Sequence, residues 1–89
     1  MVNDKLRQYL ADYYYDSLIL DNPSFDNSII GVSTDGELLY DFKKMIDELV
    51  DEEDMTEEEA VDFIEYNTIR AIGYFDSDFK PIIIEERFK

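Results

Sequence analysis

Between two stretches of helical periodicity, Ser28 to Tyr40 switches to β-rich sequence around Asp35-Gly36, and this break constrains the fold more than any other feature. Asp-Gly between alternating apolar residues is a strong short-range hairpin signal. The expected hairpin runs out along Ser28 to Thr34, reverses in a two-residue type I′ turn, and returns along Glu37 to Tyr40. Ile30 and Val32 would share one face, and Ile29 and Gly31 the other. Gly31 inside a strand marks a bulge or a close backbone approach. A lone hairpin is marginal in water, so the flanking helices must cover its apolar face.

The N-terminal stretch reads as a helix over residues 1–20, with Leu6, Leu10, Tyr13, Tyr14, Ser17 and Leu18 on one face. Asn3 is its expected N-cap, and Pro23 disfavours helix at Asn22. The three tyrosines at 13 to 15 cannot all face a core, so at least one must reach solvent or a partner. Two more helices are expected across residues 42–72. Asp41 caps the first, with Phe42, Met45, Ile46, Leu49 and Val50 inward. Thr56 and Glu59 form a capping box on the second, whose inward face is Ala60, Phe63, Ile64, Asn67, Ala71 and Ile72, with Gly73 as its stop. Pro81 opens a last strand within residues 81–88, Ile82 to Phe88. The expected architecture is one α+β domain over residues 1–89 in the order α-β-β-α-α-β, with a three-stranded antiparallel sheet.

The length allows one core and no second. Phe and Tyr together supply 15% of the residues, too much apolar material for a disordered acidic tail. With no Cys there is no disulfide framework, thiolate nucleophile or Cys-based zinc site, and with no His the usual general base is missing. Gly31, Gly36 and Gly73 are isolated and form no phosphate-binding loop. Paired carboxylates could act on a sugar only in a deep cleft, for which so small a domain has little room. The expectation is a non-enzyme without cofactor or metal. No stretch is apolar enough to span a membrane and no hydrophobic signal region follows the start, so a cytoplasmic protein is expected.

The sharpest chemical feature lies between Met45 and Ile69, which holds eleven acids and no base: Asp47, Glu48, Asp51, Glu52, Glu53, Asp54, Glu57, Glu58, Glu59, Asp62 and Glu65. Glu58, Asp62 and Glu65 recur at i, i+4, i+7, on one helix face, where like charges cost a few tenths of a kcal/mol per pair. Such a row roughly imitates the spacing of a phosphate backbone, one charge every ~3.4 Å per strand. Two readings stand side by side: a solvated face that keeps the chain soluble, and a surface that binds a basic protein. Asp51-Glu52-Glu53-Asp54 lacks the alternating ligands and central Gly of an EF-hand, so it is not read as a specific cation site. At a net charge of −15 the chain repels nucleic acid and anionic membranes and attracts basic protein surfaces. Asn67 is expected to tie a loop or strand end to its helix, and Arg70 to pair with an acid one turn away.

Ile29-Ile30-Gly31-Val32, Leu39-Tyr40-Asp41 with Lys44-Met45-Ile46, Met55-Thr56 with Glu58-Glu59-Ala60, Glu65-Tyr66-Asn67-Thr68 and Pro81-Ile82-Ile83 occur in that order. This series resembles a group of small acidic proteins encoded by phages and prophages, over roughly residues 17 to 84. That group brings no established activity, so no residue role is carried over. The resemblance implies a non-catalytic accessory protein, in the cytoplasm of a bacterial host, that binds and blocks a host protein. Combined with the acidic run, it gives the leading expectation of an inhibitor of a host protein, such as a defence nuclease or another nucleic-acid-binding protein, acting as a DNA mimic. The alternative is an assembly module, a homodimer included, held by surplus aromatics: Tyr13, Tyr14, Tyr15, Tyr74, Phe75, Phe79 and Phe88.

Overall fold

The computed structural model describes residues 3–20, 22–74 and 79–85. Helix α1 (Asp4–Tyr13) begins where Asn3 accepts the Leu6 N–H at 3.1 Å. It ends a full turn before the sequence periodicity does, and Tyr13 is 70% exposed rather than inward. Two N–H groups that a longer helix would use, and one hydroxyl beside them, are taken by distant partners. Leu18 N–H donates to the Phe79 carbonyl at 3.2 Å, Leu20 N–H donates to the Tyr40 hydroxyl at 2.9 Å, and the Ser17 hydroxyl donates to the Gly36 carbonyl. These bonds lay residues 17–20 against the hairpin, so tertiary contacts override local propensity.

A 3-10 turn (Pro23–Ser28) follows, capped by Asn22, whose side chain accepts the Ser24 N–H. It feeds strand β1 (Ile29–Val32), which pairs antiparallel with β2 (Leu38–Asp41). The register slips between Ile29 and Gly31, which is the bulge that Gly31 signals. The extra residue breaks the expected alternation: Ile29 and Val32, three apart, both pack against the core. The type I′ turn is not formed. Ser33 N–H donates to the Glu37 carbonyl at 2.8 Å, which closes a three-residue loop of Thr34, Asp35 and Gly36. Gly36 alone is left-handed there, at φ 91°, whereas type I′ needs positive φ at both central residues. The Ser33 hydroxyl favours the longer loop by accepting the N–H groups of Asp35 and Glu37.

Asp41 accepts the Lys44 N–H and starts α2 (Phe42–Glu52). Met45 and Leu49 are fully buried, with Phe42, Ile46 and Val50 packed beside them, as the periodicity predicts. The capping box of Thr56 and Glu59 opens α3 (Glu57–Phe63). The backbone then continues helical through a π segment (Ile64–Ile69) into α4 (Arg70–Gly73), forming one rod. The wider π turn moves the inward stripe along by one residue. Ala60, Ile64 and Thr68 are buried and Ile72 is packed behind them, while Asn67 and Ala71, expected inside, are exposed.

Strand β3 (Ile82–Ile84) joins the free edge of β2 and pairs Leu39 with Ile82, Tyr40 with Ile83 and Asp41 with Ile84. That pairing is parallel, so the sheet is mixed rather than all antiparallel. The reason is the connection: α2 and the α3 rod together form the long helical crossover that parallel neighbours require. The strand stops at Ile84 because the chain bends at Glu85, which was expected to continue it; the rest of the expected strand, to Phe88, lies outside the described residues. The result is an α+β fold with three helical rods and a three-stranded mixed sheet, order β1-β2-β3. Its core joins Phe25, Leu38, Tyr40, Met45, Leu49, Ala60 and Ile64.

Candidate interaction surface

The eleven acids follow the chain from the second half of α2, round a corner, and along α3 into the π segment. Ten are exposed and Glu48 is half-buried. Each is placed by its neighbours. Met45 and Leu49 fix the inward face of α2, which turns Asp47 and Asp51 outward one turn apart. Ala60 and Ile64 do the same on the rod for Glu58, Asp62 and Glu65.

Local structure explains some of these charges and not others. Glu57, Glu58 and Glu59 occupy the first turn of α3, where the helix dipole favours anions, and Glu59 also completes the capping box. Asp51 sits in the last turn of α2, which holds no base, where the same dipole opposes it. The corner between the helices is also built from acids. Asp54 adopts the left-handed backbone at φ 55°, and Met55 N–H reaches back to the Leu49 carbonyl at 3.4 Å. Glycine fills such a position at lower cost. The Ser24 hydroxyl touches Glu53 at 3.4 Å and steadies the corner against the 3-10 turn. Among the described residues no three carboxylates converge to hold a metal ion.

Among the described residues Arg70 makes no ion pair with an acid one turn away. It lies 6.0 Å above the Tyr66 ring, a cation–π distance, on the exposed side of the rod. Asn67, moved outward by the π turn, ties no strand to the helix from within.

A second exposed patch is aromatic. Tyr13 and Tyr15 are 70% and 79% exposed, and Tyr9 stacks at 4.8 Å from Tyr13 and 6.2 Å from Tyr14, centroid to centroid. Tyr9 was not singled out from the sequence, although it stands one turn before Tyr13. Tyr74 is exposed, while Phe79 is partly covered and would contact a side chain placed at Gly36. Phe75 and Phe88 fall outside the described residues.

One acid has a different role. Asp26, fully buried, accepts Arg7 Nε at 2.7 Å, Arg7 Nη2 at 2.8 Å and the Asn3 N–H at 2.9 Å. The hydrogen-bonded carboxylate raises the Arg7 pKa further, so the guanidinium stays charged. Burial pushes the neighbouring Tyr40 phenol up to about 12. This network docks α1 on the domain and gives the acidic surface no ligand. No protein-family model, curated protein or solved structure matches the chain. Among the described residues no helix is long and apolar enough to cross a membrane.

Proposed function

We propose that this chain is a non-catalytic binding protein whose acidic surface docks on a basic protein. The observation that carries the reading is the placement of acids where helix physics opposes them. Asp51 stands at the negative end of α2, and Asp54 stands in a left-handed corner that glycine fills at lower cost. A face kept only for solubility could place its charges where the dipole favours them. In this reading the surface imitates the charge of nucleic acid, and the partner is a host protein of the phage-type context, for example a defence nuclease, which the chain blocks by occupying its basic groove. Complementary charge speeds encounter and fixes register, so the complex should weaken as salt screens it.

The experiment is affinity capture from a bacterial lysate at low and at moderate salt. A basic, nucleic-acid-binding protein retained at low salt and reduced at moderate salt supports the reading. Recovery of no partner at either salt contradicts it. The stacked Tyr9, Tyr13 and Tyr14 favour a second reading, self-association through α1. A monomeric mass by light scattering at high concentration removes that reading and leaves the first intact.

A further inference from the structure

Beside the acidic run lies an open groove of about 350 Å³ between the far half of the α3 rod and the sheet edge. Its apolar wall is Phe42, Ile69, Ile72, Pro81 and Ile83. Glu65 and Glu85, both exposed, are its polar lining. The volume is at the small end of ligand pockets, which suits protruding side chains better than a cofactor. Ile69 is 43% exposed and continues the apolar wall to the surface, so the groove is open to an incoming side chain. Ile69 and Glu65 both belong to the π segment, and such segments recur at functional sites.

We propose that this groove takes the apolar anchor residues of a cationic partner segment, the anchors entering between Ile69, Ile72 and Ile83 while flanking Lys or Arg meet Glu65 and Glu85. The inference rests on the acidic-surface reading and deepens it, because Glu65 is both the last acid of the run and part of the groove. Charge selects this occupant. A second copy would bring another −15 chain and another pair of carboxylates to the same place. A neutral apolar segment would leave the groove carboxylates unpaired, whereas a basic amphipathic segment satisfies both parts of the lining.

The test uses three synthetic twelve-residue peptides and methyl-detected NMR on the full chain. The first carries Leu at i and i+4 with Lys elsewhere. The second replaces Leu by Ala, and the third replaces Lys by Gln. The Leu/Lys peptide should shift the methyl signals of Ile69, Ile72 and Ile83. The other two should bind about tenfold weaker or less. Ile69→Ser should weaken the Leu/Lys peptide about fivefold, the scale of losing one partly buried aliphatic contact, at an unchanged unfolding midpoint. Equal binding of the Leu/Lys and Ala/Lys peptides overturns the groove and leaves the acidic surface standing. Equal binding of the Leu/Gln peptide shows that the carboxylates do not select, and also overturns it. Groove shifts that grow with protein concentration alone would assign the groove to a second copy. Binding of no peptide ends the proposal whatever the lysate capture yields.

Discussion

Removing Arg7 should unseat helix α1. The helix has one buried residue, Leu10, so its attachment depends on the Asp26 carboxylate that holds Arg7 through two bonds and the Asn3 N–H through a third. Arg7→Met keeps the length of the stem but leaves a fully buried carboxylate with one N–H partner. Breaking a buried pair from one side costs about 3–5 kcal/mol. The lower end applies, because the Arg7 side chain is 32% exposed and water can approach. At about 4–8 °C per kcal/mol for a domain of this size, the midpoint should fall by at least about 12 °C. Asp26→Asn should cost less, about 2 kcal/mol, since the amide oxygen still accepts one donor and Arg7 can turn towards water. The double variant should cost about 1–3 kcal/mol less than the sum of the two, the signature of groups that act as one. Urea unfolding of the four proteins measures this, with circular dichroism reporting α1. A loss under about 1 kcal/mol for Arg7→Met, with helix content retained, would refute the reasoning.

The Tyr40 phenol titrates near 12 in the folded chain against an unfolded value near 10, so the folded state holds its proton more tightly. That stability is fully present below about pH 10 and is lost as pH rises towards 12, by about 2–3 kcal/mol in all. Urea midpoints against pH should show the decline, and Tyr40→Phe should remove that part of it. Gly36→Ala should cost about 1–2 kcal/mol by thermal unfolding, because φ is 91° and the new Cβ would meet the Phe79 ring at 3.3 Å. The π turn makes opposite predictions for neighbours. Asn67→Lys should change stability by no more than about 0.5 kcal/mol, and Thr68→Lys should cost 2 kcal/mol or roughly more. Equal effects at the two positions would place the inward stripe elsewhere.

Those neighbours also show where sequence reading stops. The caps at Asn3, Asp41 and Thr56 and the inward face of α2 were legible, because caps and periodicity are local signals written within one or two turns. The π slip was not, since Asn67 and Thr68 fit their places only once the rod is packed on the core. Nor did three isoleucines carry any sign of strand direction; the parallel pairing of β3 is set by the long helical crossover before it. The end of α1 depends on Phe79 and Tyr40, far along the chain. For the candidate site, composition located every acid of the run, and the structure added which ones oppose the helix dipole. The groove escaped notice because Phe42, Ile69 and Pro81 meet only in three dimensions, and Asp26 gives no sequence sign of being the buried acid.

The central claim is that position, not total charge, makes the acidic surface a binding site. Its most direct test compares two triple variants, each taking the net charge from −15 to −12. One is Glu58→Gln with Asp62→Asn and Glu65→Gln on the rod. The other is Asp4→Asn with Asp12→Asn and Asp16→Asn, on and just after α1, where all three acids are exposed. Affinity for the captured basic partner is measured for both across a range of salt. The rod triple should bind about tenfold or more weakly, with a shallower salt dependence, at a stability within about 0.5 kcal/mol of the parent, because relieved like-charge repulsion offsets the dipole interaction lost at Glu58. The α1 triple should stay within about twofold of the parent chain, since exposed charges away from a contact act mainly through screened, long-range attraction. Equal losses from the two triples, or none from either, would contradict the account.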